Sequence, residues 1–150
     1  MLIVDDNMFS NLALRTVLQQ YELESDVASG GNEAVQCVIK RFEKFNTTYD
    51  LIFMDLTMPI CNGYQASEQI RAFLDNNVPI DMKKPYICLL TSLSKENRSD
   101  HRIHGVNESI TKPIFKVGVR KILLRSGLLK NYWLSFFKTN FNLNILINQL

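Results

Sequence analysis

Three short apolar runs and a fourth short β-like segment, each ending in a polar or charged group, constrain the fold more than any other feature of this chain. Leu2-Ile3-Val4 ends in Asp5-Asp6, and Leu51-Ile52-Phe53-Met54 ends in Asp55. Ile87-Cys88-Leu89-Leu90 ends in Thr91-Ser92, and Ser109-Ile110-Thr111 ends in Lys112-Pro113. Uninterrupted apolar runs of this length read as strands buried on both faces, the pattern of a parallel sheet. Longer segments of helical period separate them. The predicted class is therefore α/β, a doubly wound sheet with helices on both faces.

The first strand is expected over 1–5 and the first helix over 8–20, with Phe9, Leu12, Ala13, Val17 and Tyr21 as its inward stripe. A short second strand over 24–28 ends at Gly30-Gly31. The second helix, 32–45, turns Ala34, Val35, Val38, Ile39 and Phe42 inward. The third strand spans 50–55, and the third helix runs from Gly63 to Leu74 with Ala66, Ile70, Phe73 and Leu74 inward. Residues 75–85 carry Pro79 and Pro85 and read as an exposed loop. The fourth strand covers 86–90, and a polar fourth helix covers 94–103. The fifth strand covers 108–111. The fifth helix, 114–126, turns Phe115, Val119, Ile122 and Leu123 inward, with Gly127 as its C-cap. From Lys130 onward Asn140, Asn142, Asn144 and Asn148 interleave with Phe141, Leu143, Ile145 and Ile147. That strand-like tail has no evident partner; packing on the domain, pairing with another chain and disorder all stay open.

At 150 residues the chain is long enough for one domain with a substantial core. A net charge of +2 from scattered basic residues argues against nucleic acid or an anionic membrane as the target. Cys37, Cys61 and Cys88 are odd in number and lack a C-x-x-C spacing, so neither a disulfide framework nor a structural zinc site is expected. The start of the chain has no signal-peptide pattern, and no apolar stretch is long enough to span a bilayer. The compartment expected is the cytoplasm.

Ligands of open α/β sheets sit outside the carboxyl ends of the strands, where strand order reverses. Asp5, Asp6 and Asp55 gather there if the first and third strands are neighbours. Crowded carboxylates repel, and a bound cation removes that cost. A few oxygen ligands suit Mg2+, which keeps several of its waters. Direct ligation is expected from Asp6 and Asp55, with Asp5 acting through water and the Thr57 backbone carbonyl as a further ligand. Lys112 can reach Asp55 or an anion bound there, and Thr91 can donate to the same anion. Such a set stabilises a transferring phosphoryl group, with Asp55 as nucleophile forming an acyl phosphate. Singly, each piece has a plainer reading: Asp-Asp as a helix cap, Lys-Pro as a turn. The force lies in four strand ends that each carry a group the same chemistry needs.

Leu2-Ile3-Val4-Asp5-Asp6-Asn7, Met54-Asp55-Leu56-Thr57-Met58-Pro59 with Asn62-Gly63, Leu90-Thr91-Ser92 and Thr111-Lys112-Pro113 together resemble the receiver domain of two-component response regulators, including those of hybrid histidine kinases. Gly105, ahead of the fifth strand, fits as well. The resemblance covers 1–128 and sets 129–150 apart as a tail. It implies a flavodoxin-like five-stranded parallel sheet of order 2-1-3-4-5. It implies that Asp55 accepts a phosphoryl group from a phosphohistidine on a histidine kinase or histidine phosphotransfer protein. Asp5 and Asp6 would hold Mg2+, Thr91 would sense the phosphoryl group and Lys112 would bind it. Phosphorylation would then reshape the surface of the fourth helix, fifth strand and fifth helix. Ser109 departs from the family, which usually carries an aromatic residue there to couple the switch. The loop 75–85 looks long, and the tail has no counterpart in the basic domain.

Two rival readings follow from the same residues. One is a degenerate receiver acting only as a binding module, which Ser109 keeps open. The other is a Mg2+-dependent aspartyl-nucleophile phosphatase of the haloacid dehalogenase kind, which wants an acid where Thr57 stands. His101 and His104 read as exposed polar residues before they read as a metal pair. Pro59 and Gly63 read as loop shapers. Trp133, Phe136 and Phe137 read as a packing patch or, second, a partner surface. No DNA-binding helix-turn-helix, ATP site or output domain is recognisable after 128. The first strand begins at residue 1, which suits a piece of a longer protein, and at this level a stand-alone regulator and the receiver of a hybrid, membrane-bound kinase look alike.

Overall fold

A computed structural model describes residues 1–92 and 101–129, apart from the side chain of His101. Five parallel strands form one sheet in the order β2-β1-β3-β4-β5. They are β1 (Leu2–Val4), β2 (Asp26–Ala28), β3 (Leu51–Asp55), β4 (Tyr86–Thr91) and β5 (Glu108–Thr111). Helices α1 (Met8–Gln19), α2 (Gly31–Phe45), α3 (Gly63–Asn77) and α4 (Lys116–Arg125) complete the repeat.

Side chains alternate across a strand, so each apolar run feeds two cores. Leu2, Val4, Ile52, Met54, Ile87 and Leu89 face α2 and α3. Ile3, Leu51, Phe53, Cys88 and Leu90 face α1 and α4. β1 and β3 are buried at every position, which is why their sequences show no polar alternation. The Leu51↔Tyr86 to Asp55↔Leu90 register places Asp55 level with the end of β4. The Thr91↔Thr111 pair does the same for β5. All four polar endings therefore lie along one edge of the sheet.

Helix ends follow their local chemistry. Asn7 caps α1, its side-chain oxygen accepting from the backbone of Phe9 and Ser10. Asn62 and Gln65 form a reciprocal capping box on α3. Asn46, in the left-handed region, ends α2 by donating to the Phe42 carbonyl.

Several expectations need correction. The buried stripe of α1 is Asn11, Leu14 and Leu18, while Phe9 is 75% exposed and Leu12 and Ala13 also face out. Apolar residues occur on both sides of this helix, so periodicity alone could not choose between them. Phe115 likewise faces solvent, at the N-cap of α4, which starts two residues later than expected. α3 continues to Asn77, so the loop before β4 is shorter than 75–85. β1 and β2 are shorter than the spans 1–5 and 24–28. The fourth predicted helix falls mostly on residues outside the described set, and His101–His104 form a 3-10 turn. The tail from 130, with Trp133, Phe136 and Phe137, lies outside it too. Leu129, the last described residue, is buried in the α1/α4 core. Cys37, Cys61 and Cys88 are free thiols, as expected.

Candidate phosphoryl-acceptor site

Asp5, Asp6 and Asp55 can each place one carboxylate oxygen so that all three lie within 4.8 Å of one another. Among the described residues this is the one cluster that fits a metal ion. Asp5 and Asp55 are buried and Asp6 is exposed. Lys112 arrives from the end of β5. Its Nζ lies 2.7 Å from Asp5 Oδ2 and 3.0 Å from Asp55 Oδ1. The lysine thus bridges two acids, where the sequence suggested Asp55 alone.

Burial pushes the Asp55 carboxyl above its ordinary value. Hydrogen bonding and attraction from Lys112 oppose this without cancelling it, and the Asp5 charge adds to the rise. For Lys112, burial works to lower the pKa, but the bonds to Asp5 and Asp55 outweigh it and leave the ammonium more basic than usual. Three carboxylates facing one lysine leave an excess of negative charge. A divalent cation held by oxygen ligands would relieve it, so the residues present fit Mg2+.

Backbone geometry presents these groups. The Asn7 amide donates to Asp5 Oδ1 at 2.9 Å, and the Thr57 amide donates to the Asp55 carboxylate. Lys112 N donates to the Thr91 carbonyl, tying the lysine to the end of β4. The Lys112–Pro113 peptide is cis. Thr91 is buried at the end of β4. Gly63 is required by close approach: a Cβ there would sit 2.4 Å from the Asp55 carbonyl oxygen. Thr57 lies exposed on the loop between Asp55 and Gly63.

Sequence reasoning missed Asn7 as a donor to Asp5 and missed Asn11 altogether. Asn11 Nδ2 donates to the Asp5 carbonyl at 2.8 Å. The only signal was a polar residue one turn before Leu14. His104 engages Glu68 at 2.5 Å and stacks against Tyr64 at 4.2 Å, and it belongs to no group of three or more metal-ligating side chains among the described residues.

The family model for the response regulator receiver domain matches residues 1–123. The chain belongs to this receiver family. It is 33% identical over 117 residues to hybrid signal transduction histidine kinase K of Dictyostelium discoideum, covering 75% of this chain but only 9% of that protein. It is also similar to a chain in the co-crystal structure of the Saccharomyces cerevisiae phosphotransfer protein Ypd1 with the receiver domain of Ssk1. That match has a TM-score of 0.74 at 28% identity and covers 86% of this chain and 88% of that one. A third relative is the receiver domain of the Pseudomonas aeruginosa sensor kinase PA1611, solved with magnesium in its active-site cleft. There the TM-score is 0.64 at 27% identity, covering 83% and 93% of the two chains. The expected sheet order is the one observed, and the solved neighbours share the overall fold. No helix among the described residues is long and apolar enough to cross a membrane.

Proposed function

We propose that this receiver accepts a phosphoryl group onto Asp55 from a phosphohistidine, in a Mg2+-dependent reaction within a phosphorelay. The observation that carries the reading is the convergence of Asp5, Asp6, Asp55 and Lys112 from three strand ends into one cluster. An Asp55 carboxylate oxygen attacks phosphorus as the phosphorus–nitrogen bond of the donor breaks. The electron pair returns to the imidazole nitrogen, and an acyl phosphate is left on Asp55. Asp6 and Asp55 would hold Mg2+ directly, with the Thr57 carbonyl, and Asp5 would act through water. Bound there, the ion supplies charge neutralisation for the transferring group. Lys112 holds the developing negative charge, and Thr91 meets the bound phosphoryl group and passes its presence to the β4–β5 side. Ser109 stands where the usual aromatic coupler would be, and the output surface is the segment before β5, β5 itself and α4.

The donor is a macromolecule, a histidine phosphotransfer domain or kinase. Met8, Phe9 and Leu12 on α1, Ile60 in the loop after Asp55 and Phe115 after Lys112 are all exposed apolar side chains. Each follows, in sequence, a strand end that carries a site residue, and together these segments would be the apolar rim that a donor protein meets. Ile60 is 94% exposed and sits at φ 69°, a strained conformation for a β-branched residue. Lys112 also lines a cleft together with Ala13, Leu14, Val17, Pro113 and Ile114. A small soluble phosphodonor has no use for such a rim, whereas a protein surface does. Residues 1–128 form the receiver unit and 129–150 its tail, acting in the cytoplasm alone or as part of a longer kinase.

The test is transfer between proteins. A phosphohistidine-loaded phosphotransfer domain, mixed with this chain and Mg2+, should lose its label to it. Retention of label by every donor tried, while the receiver remains folded, would sink the reading. Steady hydrolysis of small phosphate esters would instead favour a phosphatase.

A further inference from the structure

The core-facing stripe of α1 begins with an amide. Asn11 is 6% exposed and stands in line with Leu14 and Leu18, where an apolar side chain would pack without polar cost. Its Nδ2 donates to the Asp5 carbonyl, and its Oδ1 is buried with no hydrogen-bond partner. An unpaired buried acceptor destabilises the fold. The reverse amide orientation would set two acceptors against each other, so the donor end belongs on Asp5.

That carbonyl oxygen is half of the peptide unit joining Asp5 to Asp6. Because the unit is planar, fixing its oxygen fixes its N–H and the direction in which Asp6 leaves the strand end. Every other polar atom of Asp5 is also held. Its N–H donates to Ala28, its Oδ1 accepts from Asn7 and its Oδ2 accepts from Lys112.

We propose that Asn11 is a positioning residue for the cation site, its buried amide holding the Asp5–Asp6 peptide so that both carboxylates face Asp55. The inference rests on the receiver reading above. Removing the donor leaves the acids in place chemically but frees the peptide to rotate. Supporting groups of this kind typically carry about a tenfold to hundredfold effect on metal affinity.

Mg2+ titration of the full chain, followed by the amide shifts of Asp6 and Thr57, tests it alongside thermal unfolding without metal. Asn11→Leu and Asn11→Ala both remove the donor but differ in how they fill the core. Both should weaken Mg2+ binding about tenfold or more, by similar factors, even where their unfolding midpoints differ. Leu14→Ala, one turn along the same stripe, should lower the midpoint and leave Mg2+ affinity within about twofold. Affinity losses that follow the loss of packing across all three variants would overturn the proposal. So would wild-type affinity in both Asn11 variants, with the receiver reading left standing. A wild-type chain with no Mg2+ response would overturn both.

Discussion

Two half-buried cations in this molecule are held in opposite ways. Lys112 lies between Asp5 and Asp55 at the strand tips, paired with formal charge on both sides. Arg71, on α3, is held by neutral oxygens. Its Nε donates to the Gly105 carbonyl, its Nη1 to the Pro85 carbonyl and its Nη2 to Asn107 Oδ1, at 2.7, 2.9 and 2.9 Å. Asn107 Oδ1 also accepts from the Ile87 amide, so the arginine joins α3 to the start of β4 and the approach to β5. Burial lowers the Arg71 pKa, with Asp75 as a lesser opposing influence. Gly105 completes the contact: it sits at φ +71°, and a Cβ there would press on Arg71 Cγ at 2.4 Å. Arg71 spends its donors on two backbone carbonyls and one side-chain amide and fastens the fold. Lys112 spends its charge on acids that, in the proposed reaction, a metal and a phosphoryl group would also engage.

The largest difference should appear in phosphoryl acceptance. Lys112→Met should slow labelling of Asp55 by about two to three orders of magnitude, the usual scale for removing one donor to developing negative charge. Arg71→Met should label at close to the wild-type rate per folded molecule. Equal slowing in both would erase the distinction.

Stability should separate the two by what restores it. Arg71→Met removes three hydrogen bonds, two of them to the part-buried Gly105 and Pro85 carbonyls, and should cost about 2–4 kcal/mol in denaturant unfolding, with no recovery when Mg2+ is added. Lys112→Met should also lose stability at neutral pH, because two buried carboxylates lose their counter-ion. Its loss should shrink with Mg2+ or on acidification. A Lys112→Met protein indifferent to both would mean that the acids do not compete for one cation.

A smaller effect concerns Asp55 itself. Its pKa is raised in the folded state, chiefly by burial. The folded protein therefore holds that proton more tightly than the unfolded chain. This contribution favours folding below the ordinary carboxylate range and is lost as pH rises through the raised value. Asp55→Asn should unfold at a higher temperature than wild type at neutral pH, and the gap should close as pH falls below that range. A gap that is constant with pH would place the effect in packing.

Saturating Mg2+ should also stabilise wild type, by about 2.7 kcal/mol at a hundredfold excess over Kd. In Asp6→Asn that gain should shrink.

Much of the sheet and most of the cluster were legible because strands buried on both faces leave uninterrupted apolar runs, and their ends are local in sequence. Asp5, Asp6, Asp55 and Lys112 could be read as one site on that ground. What stayed hidden depends on tertiary packing. The Lys112–Asp5 bond joins residues 107 apart in the chain. Sequence reasoning did not single out Arg71, since two of its three partners are backbone oxygens that carry no sequence signature. Phe9 and Leu12 were assigned to the core because apolar character marks both burial and docking, and only the fold separates the two. Asn11 broke the apolar stripe and was passed over for the same reason.

The claim that the acidic cluster makes Asp55 a phosphoryl acceptor is tested most directly by intact-mass and peptide mapping after incubation with a small-molecule phosphodonor. The account predicts one added phosphoryl group on Asp55 in wild type with Mg2+, and none with chelator or in Asp55→Asn. Unchanged mass in folded, Mg2+-bound wild type, or a phosphoryl group that survives in Asp55→Asn, would contradict it.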